Sequence, residues 1–240
     1  ELDEAIAEAE AVFVRSRTQL RRATLDRAKR LRVVGRAGTG LDNIDVDHAT
    51  ARGVRVLNTP GANANAVAEL TLTLMLMLAR RVLAGVDSVR AGAPAKLKGV
   101  ELAGRTLGLV GFGHIGRLVA ALARGFGMSV AAHDPLISLD QVPEALRVVP
   151  LCGLDELVAH SDVVSLHAPA RDSTRGMVDA AFLARMRPGA FLVNTARAEL
   201  VEAEAVRAAL DDGRLAGYAT DLPERAGPLL DHANVVVTPH

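Results

Sequence analysis

The sequence is poor in aromatic side chains and in cysteine. It has no tryptophan, one tyrosine, five phenylalanines and one cysteine among 240 residues. Because aromatics are so few, a buried core must be built from aliphatic side chains. A single thiol, Cys152, excludes a disulfide framework and a cysteine-based zinc site, and it suits a reducing cytosol. We therefore expect a cytoplasmic protein with an aliphatic core.

Excess charge of one sign is missing as well. The 28 basic residues balance the 28 acidic ones, which argues against a nucleic-acid-binding protein that depends on a strongly positive surface. No charged-then-apolar leader opens the sequence, so it predicts no secretory signal. No His, Cys, Asp and Glu residues are paired at metal-ligand spacing, so we expect no metal site.

Long apolar runs are also lacking. The most apolar stretch, residues 70–79, is too short to cross a membrane. It lies between Glu69 and the pair Arg80-Arg81. A buried helix over residues 65–81, with Asn65 as its N-cap, is the better interpretation. We expect no membrane contact.

What the sequence does have is a regular alternation of short aliphatic runs with helical segments. Unbroken aliphatic runs are typical of strands covered on both faces. Their alternation with helices predicts a parallel α/β architecture with right-handed crossovers. The runs are residues 11–14, 32–34, 54–57, 107–110, 130–132, 163–166, 190–193, 217–220 and 234–237.

One of these runs leads directly into a dinucleotide-binding motif. Gly111, Gly113 and Gly116 form GxGxxG between a predicted strand and a predicted helix. The first glycine permits a tight turn, the second lets the backbone approach a pyrophosphate, and the third lets helix and strand pack closely. Asp134 ends the next strand, where its carboxylate can bind the ribose hydroxyls and would repel a 2′-phosphate. The motif therefore predicts NAD rather than NADP.

Further motifs outside the fingerprint are similar to those of a known enzyme family. They are VRSRT (14–18), VGRAGTGLDN (34–43), NTP (58–60), VAEL (67–70), HAP (167–169), VNTAR (193–197) and TPH (238–240). Together they resemble the D-2-hydroxyacid dehydrogenases, and VGRAGTGLDN points to the phosphoglycerate branch of that family. The similarity spans nearly the whole chain.

The resemblance implies a Rossmann-type, doubly wound parallel sheet and a second, flavodoxin-like domain that binds the substrate. We expect residues 1–60 to form part of the substrate-binding domain and residues 61–240 to form the NAD-binding domain, with a cleft between them. Because the sequence starts at Glu1 and stops at His240, we expect a fragment in which the substrate-binding domain is incomplete at both ends.

The resemblance also implies an activity, the oxidation of a small 2-hydroxy acid by NAD. The expected substrate is phosphorylated: 3-phosphoglycerate would become 3-phosphohydroxypyruvate, the entry to serine biosynthesis. Hydride transfer from a secondary alcohol needs a base, a cation near the carboxylate, and an acid that tunes the base. By resemblance, His240 is the base, Arg197 holds the substrate carboxylate, and Glu224 pairs with His240.

Two departures from the family pattern affect these assignments. Glu224 follows Asp221 more closely than usual, so Asp231 stays open as an alternative carboxylate. Ala198 stands where the family usually has glycine, and a positive φ there would strain an alanine.

The remaining site residues are also implied by the resemblance. Asp221 fits the acid on the nicotinamide side, and guanidinium groups suit a phosphate. The alternative interpretation of Arg15 is that it belongs to a solvated arginine face over residues 15–22 and binds no phosphate. His133 and His167 are expected to be structural or to line the cleft. Expected contacts with NAD are Thr39, Gly111, Gly113, His114, Ile115, Gly116, Asp134, Ala168, Pro169, Thr195, Ala196, Arg197 and Asp221. Expected contacts with substrate are Arg15, Ser16, Arg36, Gly38 and Asn63.

Three alternative functions stay open. The chain could be another D-2-hydroxyacid dehydrogenase, such as a glyoxylate/hydroxypyruvate reductase or a D-lactate dehydrogenase. It could be an NAD-sensing binding protein similar to the C-terminal-binding-protein corepressors, or an inactive fragment that still binds NAD. Because family members pair through the nucleotide domain, we expect a homodimer or homotetramer, with the helix over residues 65–81 at the interface.

Overall fold

The polypeptide forms two units, each built on its own parallel sheet. A computed structural model describes residues 2–147 and 149–240. The chain divides between Ala64 and Asn65. The sequence predicts a boundary between residues 60 and 61, within the turn that leads into the first long helix.

The first unit has a three-stranded sheet in the order β1-β2-β3. Val14 and Val34 lie on one face of this sheet, in a buried cluster with Leu25 of the second helix. On the other face Phe13 and Leu57 are exposed. The elements are α1 (Leu2–Ala7), β1 (Ala11–Val14), α2 (Arg22–Arg27), β2 (Val33–Arg36), α3 (Val46–Ala51) and β3 (Arg55–Asn58).

The second unit has a six-stranded sheet in the order β5-β4-β6-β7-β8-β9, and every pairing is parallel. The strand order reverses beside β4, which has β5 on one side and β6 on the other. From α4 onward the elements are α4 (Ala64–Ala79), α5 (Val82–Arg90), β4 (Thr106–Val110), α6 (His114–Gly125), β5 (Ser129–His133), α7 (Leu154–His160), β6 (Val163–Leu166), α8 (Ala180–Arg185), β7 (Ala190–Asn194), α9 (Ala203–Asp211), β8 (Leu215–Thr220) and β9 (Val235–Val237).

Helices cover both faces of this larger sheet. Leu107 and Leu109 of β4 belong to the buried cluster that includes Met75 of α4 and Val119 of α6. Val110 of the same strand belongs to the other buried cluster, which includes side chains of α7, α8 and α9. Successive side chains of a strand point to opposite faces, so β4 is buried on both. This arrangement confirms the predicted doubly wound, Rossmann-type sheet.

Each of the nine aliphatic runs forms a strand, with ends that differ from the prediction by at most two residues. The helices were less predictable. The long apolar helix begins at Ala64 and ends at Ala79, so the prediction of Asn65 as its N-cap is wrong. The chain then turns at Arg81, whose φ of +51° is left-handed, and continues as α5. Among the helices described by the structure, none has the length and apolar composition that a membrane crossing requires.

Candidate active site

The predicted functional residues of the second unit follow the six strands of its sheet. Because the strands are parallel, their carboxyl ends lie along one edge, where open α/β sheets bind their ligands. The residues that follow β4, β5, β6, β7, β8 and β9 include, in that order, Gly111, Asp134, Ala168, Arg197, Asp221 and His240.

The three glycines of the fingerprint have three different surroundings. Gly111 has a φ of +99°, and a Cβ there would lie 2.7 Å from the carbonyl of His167. A Cβ on Gly116 would lie 2.4 Å from the carbonyl oxygen of Gly111, so this glycine lets α6 pack against the loop. Gly113 has open space around it. It precedes the first turn of α6, where His114 and Ile115 have backbone N–H groups without intrahelical acceptors. The open space and the helix N-terminus suit a pyrophosphate.

Asp134 holds the fingerprint loop from the end of β5. One carboxylate oxygen accepts a hydrogen bond from the Phe112 N–H at 2.8 Å, and the other accepts one from the Leu136 N–H at 3.0 Å. An ionised carboxylate has about four acceptor positions, so each oxygen retains capacity for a ribose hydroxyl. Its predicted contact with NAD is compatible with this geometry.

His167 lies where β6 ends, against the same loop. Its backbone N–H donates to the Val110 carbonyl at 2.7 Å, and its ring Nε2 lies 3.0 Å from the Ser165 hydroxyl. Burial lowers the pKa of His167 to about 4, so the imidazole is neutral at physiological pH. The sequence predicts that His167 and His133 are structural or line the cleft. Nδ1 of His133 lies 3.0 Å from the Cys152 carbonyl, a backbone contact that fits a structural role. Neither histidine has a carboxylate partner among the hydrogen bonds of the described residues.

Buried polar side chains shape the loop after β7. The Asn194 Oδ1 accepts a hydrogen bond from the Ala196 N–H at 3.1 Å, and its Nδ2 donates to the Arg197 carbonyl at 2.9 Å. The Thr195 hydroxyl lies 2.8 Å from that of Thr71 on α4. The Thr195 side chain therefore points inward, which leaves backbone groups of this loop for a ligand. Neither Asn194 nor Thr71 was predicted to shape this loop. For Asn194, an asparagine at the start of a turn is a weak sequence signal. No sequence pattern marks Thr71.

Arg197 ends this loop with an extended backbone, at φ −146° and ψ 137°. Its Nη1 donates to the Ala196 carbonyl at 2.7 Å. Ala198 follows, as the first residue of a short 3-10 turn, and its φ is not positive. An alanine here is therefore not strained, although the family usually has glycine.

His240 and Asp221 form a hydrogen-bonded pair. The His240 Nδ1 lies 3.0 Å from the Asp221 Oδ2. Because a carboxylate only accepts, the imidazole N–H is the donor. The Asp221 side chain is 6% exposed and that of His240 is 59% exposed. The hydrogen bond to Asp221 raises the pKa of His240 above its usual value, against the opposing effects of burial and of the Arg197 charge.

Glu224 and Asp231, the carboxylates predicted as possible partners of His240, form no hydrogen bond with it in the described part of the structure. Glu224 is exposed, in a short 3-10 turn over Pro223–Arg225. Its charge acts on the imidazole, but among the described hydrogen bonds none joins the two side chains. Asp231 pairs instead with Arg207, at 2.6 Å. The role assigned to Glu224 by resemblance stays a prediction.

Loops of the first unit gather several of the residues predicted to contact substrate or NAD. Gly38 has a φ of +144°, and a side chain there would collide with the guanidinium of Arg36. The Thr39 hydroxyl donates to the Asn63 Oδ1 at 2.9 Å, and the Asn58 Nδ2 donates to the Thr39 carbonyl at 2.7 Å. The loops after β2 and β3 are thus joined to each other.

The loop after β1 carries Arg15 and Ser16, both exposed. It is held by Asn43, whose Nδ2 donates to the carbonyls of Arg15 at 3.0 Å and of Thr18 at 2.7 Å. Asn43 lies within the VGRAGTGLDN motif, but its supporting role was not predicted. The exposure of Arg15 agrees both with phosphate binding and with a solvated arginine face.

Comparison with known proteins shows which family this arrangement belongs to. Residues 72–240 match the model of the D-isomer specific 2-hydroxyacid dehydrogenase NAD-binding domain. A hydroxypyruvate reductase of Thermotoga maritima is 41% identical over 249 residues, with 100% of this chain and 80% of that protein covered. A D-3-phosphoglycerate dehydrogenase of Mycobacterium bovis is 42% identical over 243 residues, with 98% of this chain and 46% of that protein covered.

A solved structure has the same fold. The D-lactate dehydrogenase of Aquifex aeolicus, determined with NAD and lactic acid, is 28% identical and superposes with a TM-score of 0.88. The match covers 99% of this chain and 78% of that one. The chain thus spans less than half the length of the phosphoglycerate dehydrogenase that it matches, and about four fifths of the other two proteins.

Proposed function

Because the chain belongs to the D-isomer specific 2-hydroxyacid dehydrogenases, a family of NAD-dependent oxidoreductases, we propose that it oxidises the C2 hydroxyl of a D-2-hydroxy acid. The observation that carries this proposal is the pairing of His240 with Asp221, at 3.0 Å, at the sheet edge that also holds the glycine fingerprint. The pair supplies the proton acceptor that this oxidation requires, at the same carboxyl edge as the dinucleotide loop.

The residues of the second unit fit NAD. Gly113 has open space and adjoins the N-terminus of α6, so this loop would hold the pyrophosphate. Asp134 would hold the adenosine ribose. Oδ1 of Asp221 is buried without a hydrogen-bond partner in the described part of the chain, so it can accept from the carboxamide N–H of the nicotinamide. When bound, NAD supplies the hydride acceptor.

His240 moves the proton. Its Nδ1–H is held by Asp221, so the proton of the substrate hydroxyl is taken up at Nε2. In the reverse reaction the same nitrogen returns the proton to the carbonyl oxygen. The raised pKa of His240 favours the protonated form, so oxidation is favoured at higher pH and reduction at lower pH.

Arg197 binds the substrate carboxylate. A guanidinium donates two parallel hydrogen bonds to a carboxylate, which fixes the orientation of the acid as well as its position. The positive charge also stabilises negative charge that develops on the reacting oxygen. Asn194 supports this role, since it fixes the backbone carbonyl of Arg197.

The substrate that we propose is 3-phosphoglycerate, oxidised to 3-phosphohydroxypyruvate at the start of serine biosynthesis. Arg15 and Ser16 would bind the phosphate, and Arg36, Gly38 and Asn63 would contact the carboxylate end. The relative from Mycobacterium bovis supports this substrate. The equally similar hydroxypyruvate reductase supports a second candidate, in which the acid carries no phosphate.

NADH absorbance distinguishes these substrates. We expect the protein to reduce NAD with 3-phosphoglycerate faster than with glycerate or D-lactate, and NADP to be a poor acceptor. Faster NAD reduction with glycerate would contradict the phosphorylated substrate and favour the unphosphorylated candidate. A preference for NADP would contradict the role given to Asp134.

We further propose that the protein is a homo-oligomer in the cytoplasm, with a dimer as the smallest unit. The apolar side chains of α4 are mostly buried in their own unit, but four apolar side chains of α5 are exposed. Exposed apolar side chains on one short helix are typical of a protein–protein contact. They are Val82, Leu83, Val86 and Val89. Light scattering at micromolar concentration should give at least twice the monomer mass, and the monomer mass would contradict the proposal.

A further inference from the structure

We propose that Thr220, the last residue of β8, is a positioning residue that holds the loop of Arg197 in place at the carboxyl edge. The inference rests on the proposed function, since it assigns a support to the residue proposed to bind the substrate carboxylate. Three structural features of the second unit support it: the two hydrogen bonds of the Thr220 hydroxyl, the path from that hydroxyl to Arg197, and the burial of the residues on this path.

The hydroxyl of Thr220 joins two segments that follow different strands. Its Oγ1 donates to the Asn194 carbonyl at 2.7 Å and accepts from the Leu222 N–H at 3.2 Å. Asn194 ends β7, and Leu222 lies in the turn after β8. Asn194 and Thr220 are also direct partners in the parallel sheet. One hydroxyl thus fixes the start of the Arg197 loop to the turn that follows the neighbouring strand.

Asn194 passes this restraint on to Arg197. Its own carbonyl is held by Thr220, and its side chain holds the backbone of the loop. Oδ1 accepts from the Ala196 N–H at 3.1 Å, and Nδ2 donates to the Arg197 carbonyl at 2.9 Å. The Arg197 guanidinium in turn donates to the Ala196 carbonyl at 2.7 Å. A displacement of Asn194 would therefore move the guanidinium as well.

The other side of the loop is held by α4. The Thr71 Oγ1 donates to the Val67 carbonyl at 2.8 Å. Because a hydroxyl has one proton to donate, Thr71 accepts from the Thr195 hydroxyl, 2.8 Å away. The loop is thus fixed from α4 through Thr195 and from β8 through Asn194. The contact from β8 reaches the residue whose side chain holds the Arg197 carbonyl, so it acts on the guanidinium more directly.

The residues that carry the restraint are shielded from water. Asn194 is 0% exposed, Thr220 is 1% exposed, and Leu222 is buried as well. A buried N–H or C=O that loses its partner costs more free energy than the hydrogen bond itself contributes. A valine at position 220 would fill the same space but leave the Asn194 carbonyl and the Leu222 N–H without the hydroxyl. The two segments would then shift to find other partners.

The test compares Thr220→Val, which keeps the shape and removes the hydroxyl, with Thr220→Ser, which keeps the hydroxyl. Amide hydrogen exchange, followed by NMR in protein without NAD, reports on the loop directly. The Ala196 N–H bonds to Asn194 and not to Thr220. We expect it to exchange at least about tenfold faster in Thr220→Val, and near the wild-type rate in Thr220→Ser. The His167 N–H, at the end of β6, should be unchanged, which distinguishes a local effect from global unfolding.

Activity provides the second readout. We expect kcat/KM for the 2-hydroxy acid to fall about tenfold to a hundredfold in Thr220→Val, since a small displacement of a positioned group is that costly. Thr220→Ser should restore most of it. The loss should lie mainly in KM for the acid, because Arg197 binds its carboxylate, and the Kd for NAD should change less. Thr73→Val, which removes an exposed hydroxyl from α4, is the matched control and should keep the wild-type values.

The outcomes separate this inference from the proposed function. Equal Ala196 exchange rates in Thr220→Val and the wild type would overturn the inference, as would a Thr220→Ser variant as impaired as Thr220→Val. If circular dichroism shows that Thr220→Val is unfolded, Thr220→Ala, which also lacks the hydroxyl and leaves room for the backbone, is measured with the same expected result. If the exchange result holds but no 2-hydroxy acid reduces NAD, then the proposed function fails and the positioning of the Arg197 loop by Thr220 stands.

Discussion

At the scale of single residues, Arg197 depends on its neighbours for its place at the sheet edge. Its backbone carbonyl is fixed by Asn194, and its guanidinium donates to the carbonyl of Ala196. The guanidinium is therefore oriented before substrate binds. A pre-oriented group loses less conformational entropy on binding than a free one.

Substitution Arg197→Lys tests whether that orientation matters. Lysine keeps the charge but cannot form two parallel hydrogen bonds with a carboxylate. We expect kcat/KM for the 2-hydroxy acid to fall about a hundredfold, the loss of one of the two charge-assisted hydrogen bonds, with little change in the Kd for NAD.

The control is Arg185→Lys, at an exposed arginine that pairs with Asp155 on the surface. It should leave both quantities near their wild-type values. A near-normal kcat/KM in Arg197→Lys would show that only the charge at this position is needed.

Residues in sequence motifs were predictable, and residues defined by long-range contacts were not. The fingerprint and the final TPH motif pointed to Gly111 and His240, because each lies next to a recognisable run. The partner of His240 could not be predicted, since Asp221 and Glu224 differ by three positions and only the register of β8 and β9 brings one of them within 3.0 Å. Thr71 was missed because its partner, Thr195, lies 124 residues away.

At the scale of elements, the strand–loop–helix unit from β4 to α6 uses its glycines for opposite purposes. Gly116 lets α6 approach the loop so closely that a Cβ would lie 2.4 Å from a backbone oxygen. A Cβ added to Gly113 would have no heavy atom within 4 Å. Helix packing therefore needs a glycine at position 116, and ligand access needs a glycine at position 113.

Alanine at each position should separate packing from binding. We expect Gly116→Ala to lower the free energy of unfolding by about 1–3 kcal/mol, because the Cβ overpacks against backbone that cannot easily move. Gly113→Ala should leave that free energy nearly unchanged and raise the Kd for NAD at least about tenfold. Urea unfolding and calorimetric titration with NAD measure the two quantities. If Gly113→Ala destabilised the fold and left NAD binding intact, the assigned roles would be reversed.

Strands were predicted more accurately than helices for a physical reason. A buried strand needs a short continuous aliphatic run, and such runs stand out among Ala/Arg/Glu-rich segments. Helix ends depend on backbone geometry instead. The left-handed Arg81 ends one helical stretch and begins another, and no glycine marks that turn in the sequence.

At the scale of the whole molecule, each unit gathers its functional side chains by the same rule. All strands of a parallel sheet end on one edge, so loops far apart in sequence meet there. The rule predicted which edge would hold the site in the second unit. It could not predict which of the loop residues would form hydrogen bonds with each other, because that depends on side-chain packing.

The central claim, that His240 is the base of an NAD-dependent oxidation, is tested most directly by NADH formation in His240→Ala. The protein is incubated with NAD and a D-2-hydroxy acid that the wild type oxidises, and the Kd for NAD is measured in parallel. We predict a rate about a hundredfold to ten-thousandfold lower than that of the wild type, the usual contribution of a general base, with NAD binding nearly unchanged. A near-normal rate of NADH formation would contradict the account.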